Sequence, residues 1–347
     1  MNYRTALRGR RTGTTPAKHG ARRRGCLFPP FLRRRSLTLS RAAPDSAPPQ
    51  ERRVADRYLA AAVQATVPAS ARHTSALLAL CSTPTANAAQ LSAAALADVG
   101  VTIQLLRRGN TAFFFRARRQ IISVQHVLVL LGIDNISELI RGLPVIKENG
   151  LRMPSEDPLL MLLGRSALAA AVAKELAALA GQETQRVVVC AMLQSLGAIL
   201  IGVIHPRAAR LMWSLRSQRR AADRVARRLV GRRPVELGVA VARQWNLPGI
   251  VRLAMLSPKT PPPGAKTPQV HPAVMLAREL QAWLQTAEMG GLRRRQETHV
   301  ANLIKTLGKT APEFSKAAQK GIVAFQEQNP FLHELLRREG LFNRLHI

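Results

Sequence analysis

Cysteine is nearly missing from this chain of 347 residues. Cys26, Cys81 and Cys190 are too few and too far apart for a disulfide framework, and no Cys-x-x-Cys pair offers a zinc ribbon or redox site. Such usage fits a reducing cytosol. Aromatic residues are scarce at 4%, although hydrophobic residues reach 47%. Alanine and leucine must therefore fill the core, which favours packed helices. Acid is short too: 20 Asp and Glu face 52 Lys and Arg, a formal net charge of +32. The composition excludes collagen-like, mucin-like and wholly disordered chains, and the length suffices for one large domain or two modest ones.

Compact signatures of chemistry are equally absent. No Gly-x-Gly-x-x-Gly occurs. The histidines (His19, His73, His126, His205, His271, His299, His333 and His346) never fall within helical reach of one another, so the His-x-x-x-His metal spacing is missing. Gly308-Lys309-Thr310 copies the tail of a phosphate-binding loop, but its leading glycine would be Leu303 and no strand precedes it. Ser195 precedes Gly197 as a nucleophile-elbow serine would, yet the matching upstream residue is Leu193 and the context is helical. Glu156-Asp157 reads as a pair of helix-start acids, not as a catalytic pair. No residue is assigned as catalytic, cofactor-binding or metal-ligating.

What is abundant is arginine. Residues 1–53 hold 14 Lys/Arg against Asp45 and Glu51. Runs such as Arg22-Arg23-Arg24 and Arg33-Arg34-Arg35 are broken by prolines and show no helical or strand period. Such a segment buries too little apolar surface to offset its ordering entropy, so it is expected to be a disordered basic arm. It resembles a transit peptide in being Arg-rich and acid-poor, but has no apolar run of the kind a secretory signal needs. From Val187 to Ile204 only Gln194 and Ser195 are polar, which is near the minimum length for a membrane span. The polar pair at its centre, Gly197 and Gly202, and the lack of a second such run favour a buried core helix and no membrane span.

Helical patterns fill the rest. Residues 54–67 and 75–81 are separated by Pro68. Leu91, Ala95, Val99, Ile103 and Leu106 recur close to a 3.6-residue period in one helix over 88–108. Short helices cover 123–131 and 135–143. Asp157-Pro158 opens a helix through Ala180, and an apolar helix follows from about Thr184 to Ile204. Pro234 opens another, with Leu237, Val241 and Trp245 on one stripe. Residues 258–268 are a Pro-rich linker, and two or three more helices follow, one striped by Phe314, Ala318, Ile322 and Phe325. The expected organisation is a basic arm over 1–53, a helical domain over 54–257, the linker, and a helical segment over 269–347 packing on or near the domain.

Four blocks, in order, resemble the HDOD family of bacterial regulatory domains. They are Val99 to Phe115, containing Leu105-Leu106-Arg107-Arg108-Gly109-Asn110; Ile122 to Gly132; Val188 to Leu200; and Pro234 through Trp245-Asn246-Leu247-Pro248. The resemblance implies an all-α, HD-superfamily-like helical bundle, and makes the Val187-Val188-Val189 run helical. HD phosphohydrolases hold a divalent ion through histidine and aspartate ligands. Carried over by position, the His-Asp pair falls at Gln194-Ser195, the first histidine near Ser166, the later histidine at Pro234 and the terminal pair near Ser257-Pro258. None of these can replace a metal-bound imidazole. The resemblance therefore implies a metal-free protein that is not an enzyme and needs no cofactor.

Among the matching residues, Asn110 is expected to cap or bridge helices, Trp245 to close the core and Glu236 to form an ion pair. Phe113-Phe114-Phe115 cannot all point inward from a helix, so one of them is a candidate partner contact. The leading reading is a cytoplasmic regulatory module in bacterial signal transduction, acting on a protein partner. Alternatives are a nucleic-acid-binding protein using the arm and the arginines between Arg216 and Arg233 and at 293–295, and a divergent metal-dependent phosphohydrolase with relocated ligands.

Overall fold

The computed structural model describes residues 49–117, 120–146, 157–256, 271–290 and 293–345, with backbone alone at 49 and 112–117. The arm up to residue 48, the linker, and Ser257-Pro258 lie outside the described residues.

Helix α1 (Pro49–Gln64) begins inside the stretch expected to belong to the arm. Ser70 ends the short strand β1 (Ala69–Ser70) and caps α2 (Ala71–Cys81) by accepting the His73 N–H. The single helix expected over 88–108 is two. A capping box of Asn87 and Gln90 starts α3 (Ala88–Leu96), and α4 (Val99–Ala117) starts afresh behind Asp98. Asp98 makes the break: one carboxylate oxygen accepts the Val101 N–H at 2.9 Å, and the other accepts the Ser70 N–H at 2.8 Å. One side chain thus caps α4 and ties it to β1. Ser123 caps α5 (Val124–Leu131), which Gly132 turns into α6 (Ile133–Arg141). Strand β2 (Val145–Ile146) then pairs in parallel with β1, Ala69 opposite Val145.

Helix α7 (Pro158–Leu179) is capped by Asp157, with Pro158 at its first position. Its sequence is apolar all round and it is buried along most of its length, as a central helix must be. The apolar run that follows is helical throughout but not uniform. It comprises α8 (Thr184–Met192), a 3-10 turn (Leu193–Ser195) and α9 (Leu196–Ile204). This is the one stretch among the described residues long and apolar enough to cross a membrane, and 78% of its apolar window is buried inside the fold.

Next come α10 (Pro206–Ser214), α11 (Arg219–Val230), α12 (Pro234–Gln244) and α13 (Gly249–Met255). The C-terminal part holds α14 (Pro272–Glu288), α15 (Arg293–Leu307), α16 (Ala311–Gln328), α17 (Pro330–Arg338) and α18 (Leu341–Arg344), five helices where two or three were expected. Helices α16 and α17 lie against α7, and α14 lies against α8 and α15. The approach of α16 to α7 is close enough to need a glycine: a Cβ on Gly321 would stand 2.6 Å from the Val172 Cα. Phe314, Ala318 and Phe325 are buried, while Ile322 is only partly covered. One continuous apolar core runs from Ala62 through Val187 to Leu341. Apart from the two-residue β pairing, the described residues form the all-α bundle the composition implies.

Candidate functional site

Most of the positions carried over from the HD metal centre are brought together. Ser166 lies on α7, Gln194 and Ser195 form the 3-10 turn, and Pro234 opens α12 with its carbonyl against Gly197 at the start of α9. The backbones of α9 and α12 touch there, so Gly197 and Gly238 face each other without side chains between them.

What occupies this centre is an ion pair. Arg165, next to Ser166 on α7, donates from Nη1 to Glu288 Oε2 at the end of α14. Its Nη2 donates to Ser195 Oγ at 3.2 Å, and Gln281 Nε2 of α14 donates to the same oxygen at 3.1 Å. All four residues are buried. Arginine suits such a place because guanidinium stays charged and presents several donors in a fixed fork. The cluster is not fully paired. Arg165 Nε, Ser166 Oγ, Gln194 Nε2, Gln281 Oε1 and Glu288 Oε1 are buried without a protein partner, each a polar group whose desolvation is uncompensated by the protein.

These residues do not fit a divalent cation. Among the described residues no imidazole faces the centre, its one carboxylate already holds a guanidinium, and that guanidinium would repel a metal ion. Among the described residues no group of three or more His, Cys, Asp or Glu could hold one elsewhere. Ser195, accepting from two donors and flanked by no base, is placed as an anchor and not as a nucleophile.

The histidines have separate occupations. His73 contacts the Asp98 carboxylate at 3.3 Å and the Gln328 carbonyl at 3.0 Å, joining α2 to α16. His205 and His271 cap α10 and α14. His299 pairs with Glu279 at 2.9 Å, and His333 lies beside Phe342 and Phe325. His19 and His346 lie outside the described residues. Burial pushes the Cys190 thiol up to about 12, with Arg186 opposing, so it is an inert core residue. Gly308-Lys309-Thr310 is a helix connection in which Thr310 forms a capping box with Glu313.

Three of the residues singled out by resemblance, Asn110, Trp245 and Glu236, are engaged with other parts of the fold. Asn110 is buried and clamps α4 to the approach of α5. Its Nδ2 donates to the Leu106 and Ile121 carbonyls at 2.9 and 2.7 Å, and its Oδ1 accepts the Ile121 N–H at 2.7 Å. Trp245 donates its indole N–H to the Val63 carbonyl at 3.0 Å, and Arg107 lies over its ring. Glu236 pairs with Arg227 and Arg233. Burial alone would raise its carboxyl, but the Arg233 N–H and the two guanidinium groups hold it below the usual carboxylate range. The side chains of Phe113-Phe114-Phe115 lie outside the described residues.

Fold and centre together define an all-helical domain whose buried centre holds an arginine–carboxylate pair. The HDOD domain family matches residues 67–261, more than half of the chain, and the chain belongs to that family. The solved structures that resemble it include the MmoQ response regulator of Methylococcus capsulatus str. Bath. That structure is 16% identical, covers 74% of this chain and 99% of its own, and has a TM-score of 0.57. Another is a virulence factor of Campylobacter jejuni subsp. jejuni, also 16% identical, covering 77% and 96% with a TM-score of 0.55. Both share the fold. No curated protein matches the sequence. Gln281 and Glu288 come from α14, beyond the residues the family matches, so the centre is completed from outside them.

Arg165 and Glu288 escaped the reading of the sequence. A lone arginine inside the apolar run of α7 was a signal that a buried partner existed. Nothing local pointed to Glu288.

Proposed function

We propose that the protein is a non-catalytic regulatory module of bacterial signal transduction, working in the cytoplasm through protein contacts. The observation that carries this reading is the Arg165–Glu288 pair with Ser195 and Gln281, which occupies the centre with groups unable to bind or activate a metal-bound water. Membership of the HDOD family supports it. A module of this kind needs surface to offer, and Val129 (69% exposed), Leu130 and Ile133 place apolar side chains in solvent around the α5–α6 turn.

The test is metal analysis and turnover on the purified full-length protein. After incubation with manganese and desalting, well under one equivalent of bound metal is expected, with no hydrolysis of cyclic nucleotides or nucleotides. Stoichiometric metal with turnover abolished by a chelator would overturn the reading in favour of a phosphohydrolase with relocated ligands.

A further inference from the structure

Ten arginines lie between Arg207 and Arg233, against a single acid, Asp223. The structure divides them. Arg216 pairs with Glu339, Arg227 and Arg233 with Glu236, and Arg232 with Asp56. Arg219 is exposed and its charge acts on Asp223, whereas Arg207, Arg210, Arg220, Arg224 and Arg228 are exposed and have no carboxylate partner among the described residues. On α11, Arg220, Arg224 and Arg228 recur every fourth residue, so they form a row with steps of about 6 Å along one helix face. Arg207 and Arg210 sit on α10, which packs against α11. Next to them is an open groove of about 450 Å3 lined by Tyr58, His205, Arg207 and Arg210 among others. Tyr58 and His205 are stacked at its wall, ring centroids 5.5 Å apart and planes 24° from parallel. His205 Nδ1 accepts the Ala208 N–H, which fixes the ring's position.

We propose that the arginine face of α10 and α11, with the adjoining Tyr58–His205 groove, is a binding surface for single-stranded nucleic acid. A row of unpaired arginines beside stacked rings supplies the two things a single strand uses, charge for its phosphates and a flat apolar platform for a base. A bilayer surface fits less well. An interfacial helix buries an apolar face in lipid, but here Ala208, Ala209, Ala226 and Val230 already face the protein interior. Leu211 is the one large apolar side chain exposed on these two helices. The surface is independent of the buried centre, so a regulatory module could carry it or lack it.

The test uses the full chain and fluorescence anisotropy with a labelled oligouridine of about twenty nucleotides. Log affinity against log salt is expected to fall with a slope of at least about −3, as five neutralised phosphates require. Substituting R220Q, R224Q and R228Q together should weaken binding at least tenfold and flatten the slope by about 2. R293Q, R294Q and R295Q together remove the same charge from exposed positions on α15 and should change affinity by no more than about twofold. Tyr58→Leu should weaken binding roughly tenfold with the slope unchanged, because it removes stacking and no charge. Circular dichroism melts check that each variant folds. Lack of binding, equal losses in the two triple variants, or unchanged affinity in Tyr58→Leu would each overturn the proposal. So would tighter binding to vesicles of phosphatidylcholine and phosphatidylserine than to the oligonucleotide.

Discussion

The guanidinium of Arg165 and the carboxylate of Glu288 meet inside the protein although 123 residues separate them in the chain. Arg165 stands on the central helix α7, and Glu288 is the last residue of α14. Their meeting joins the body of the HDOD fold to its C-terminal helices at one buried point, with Ser195 of the 3-10 turn as a third attachment. Removing one partner leaves the other charge buried and unpaired. Arg165→Met or Glu288→Leu should therefore each cost about 3–5 kcal/mol, whereas Arg165→Met combined with Glu288→Leu should recover most of that loss. Urea denaturation of the four proteins closes the double-mutant cycle. Additive losses would mean that the two charges do not stabilise each other.

Close helix crossings make a second expectation. Gly197 meets the Pro234 carbonyl at the α9–α12 crossing, and Gly321 meets the Val172 backbone at the α7–α16 crossing. A methyl at either place pushes against backbone, which cannot swing aside as a side chain would. Gly197→Ala and Gly321→Ala should each lose about 1–3 kcal/mol or more, with the melting temperature falling accordingly. Gly249→Ala is the control: its Cβ would meet only the end of the Arg252 side chain, at 3.6 Å, and its φ is not positive. Its melting temperature should stay close to that of the parent.

The Asn110 clamp has a local readout. Asn110→Leu removes both acceptor and donors, leaving the Ile121 N–H and carbonyl without their side-chain partners. A loss of about 2–3 kcal/mol is expected. The Ile121 amide should also exchange with deuterium much faster than in the parent, while amides in α16 change only by the global loss. Unchanged exchange at Ile121 would show that another group takes over the bond.

How far the fold was legible follows from where its causes lie. The cap at Asp157-Pro158 and the apolar circumference of α7 are local patterns, so that helix was readable within a residue of its ends. The break at Asp98 was missed although half of its cause is local: the carboxylate caps α4 through the Val101 N–H, and only its hold on the Ser70 N–H, 28 residues away, is out of reach of the sequence. A 3.6-residue period continues across it and hides the turn. The same contrast holds at the centre. That Gln194, Ser195 and Pro234 are residue types unable to stand in for a metal-bound imidazole could be read position by position. The Arg165–Glu288 pair could not, since only the packing of α14 brings the second charge in. Arginine clusters were visible in the sequence too, but which arginines are spent on Glu236, Glu339 and Asp56 depends on the tertiary neighbours.

Acid should loosen the C-terminal helices through His333. Burial lowers its imidazole below the ordinary value of 6.5, Glu334 opposes this, and Arg337 adds to it. The ring lies 4.7 Å from Phe342 and 6.2 Å from Phe325, so the neutral form is the one that packs. A histidine with a lowered folded-state value binds protons more readily unfolded. Its contribution to stability is thus complete above about pH 6.5 and is lost as pH falls through that value toward the folded one. His333→Phe keeps an aromatic ring and removes the titration. Thermal melts at intervals between about pH 7.5 and pH 5.5 should show a fall in the parent that is shallower in His333→Phe, the difference opening below about pH 6.5. Parallel curves for the two proteins would place the acid sensitivity in other groups.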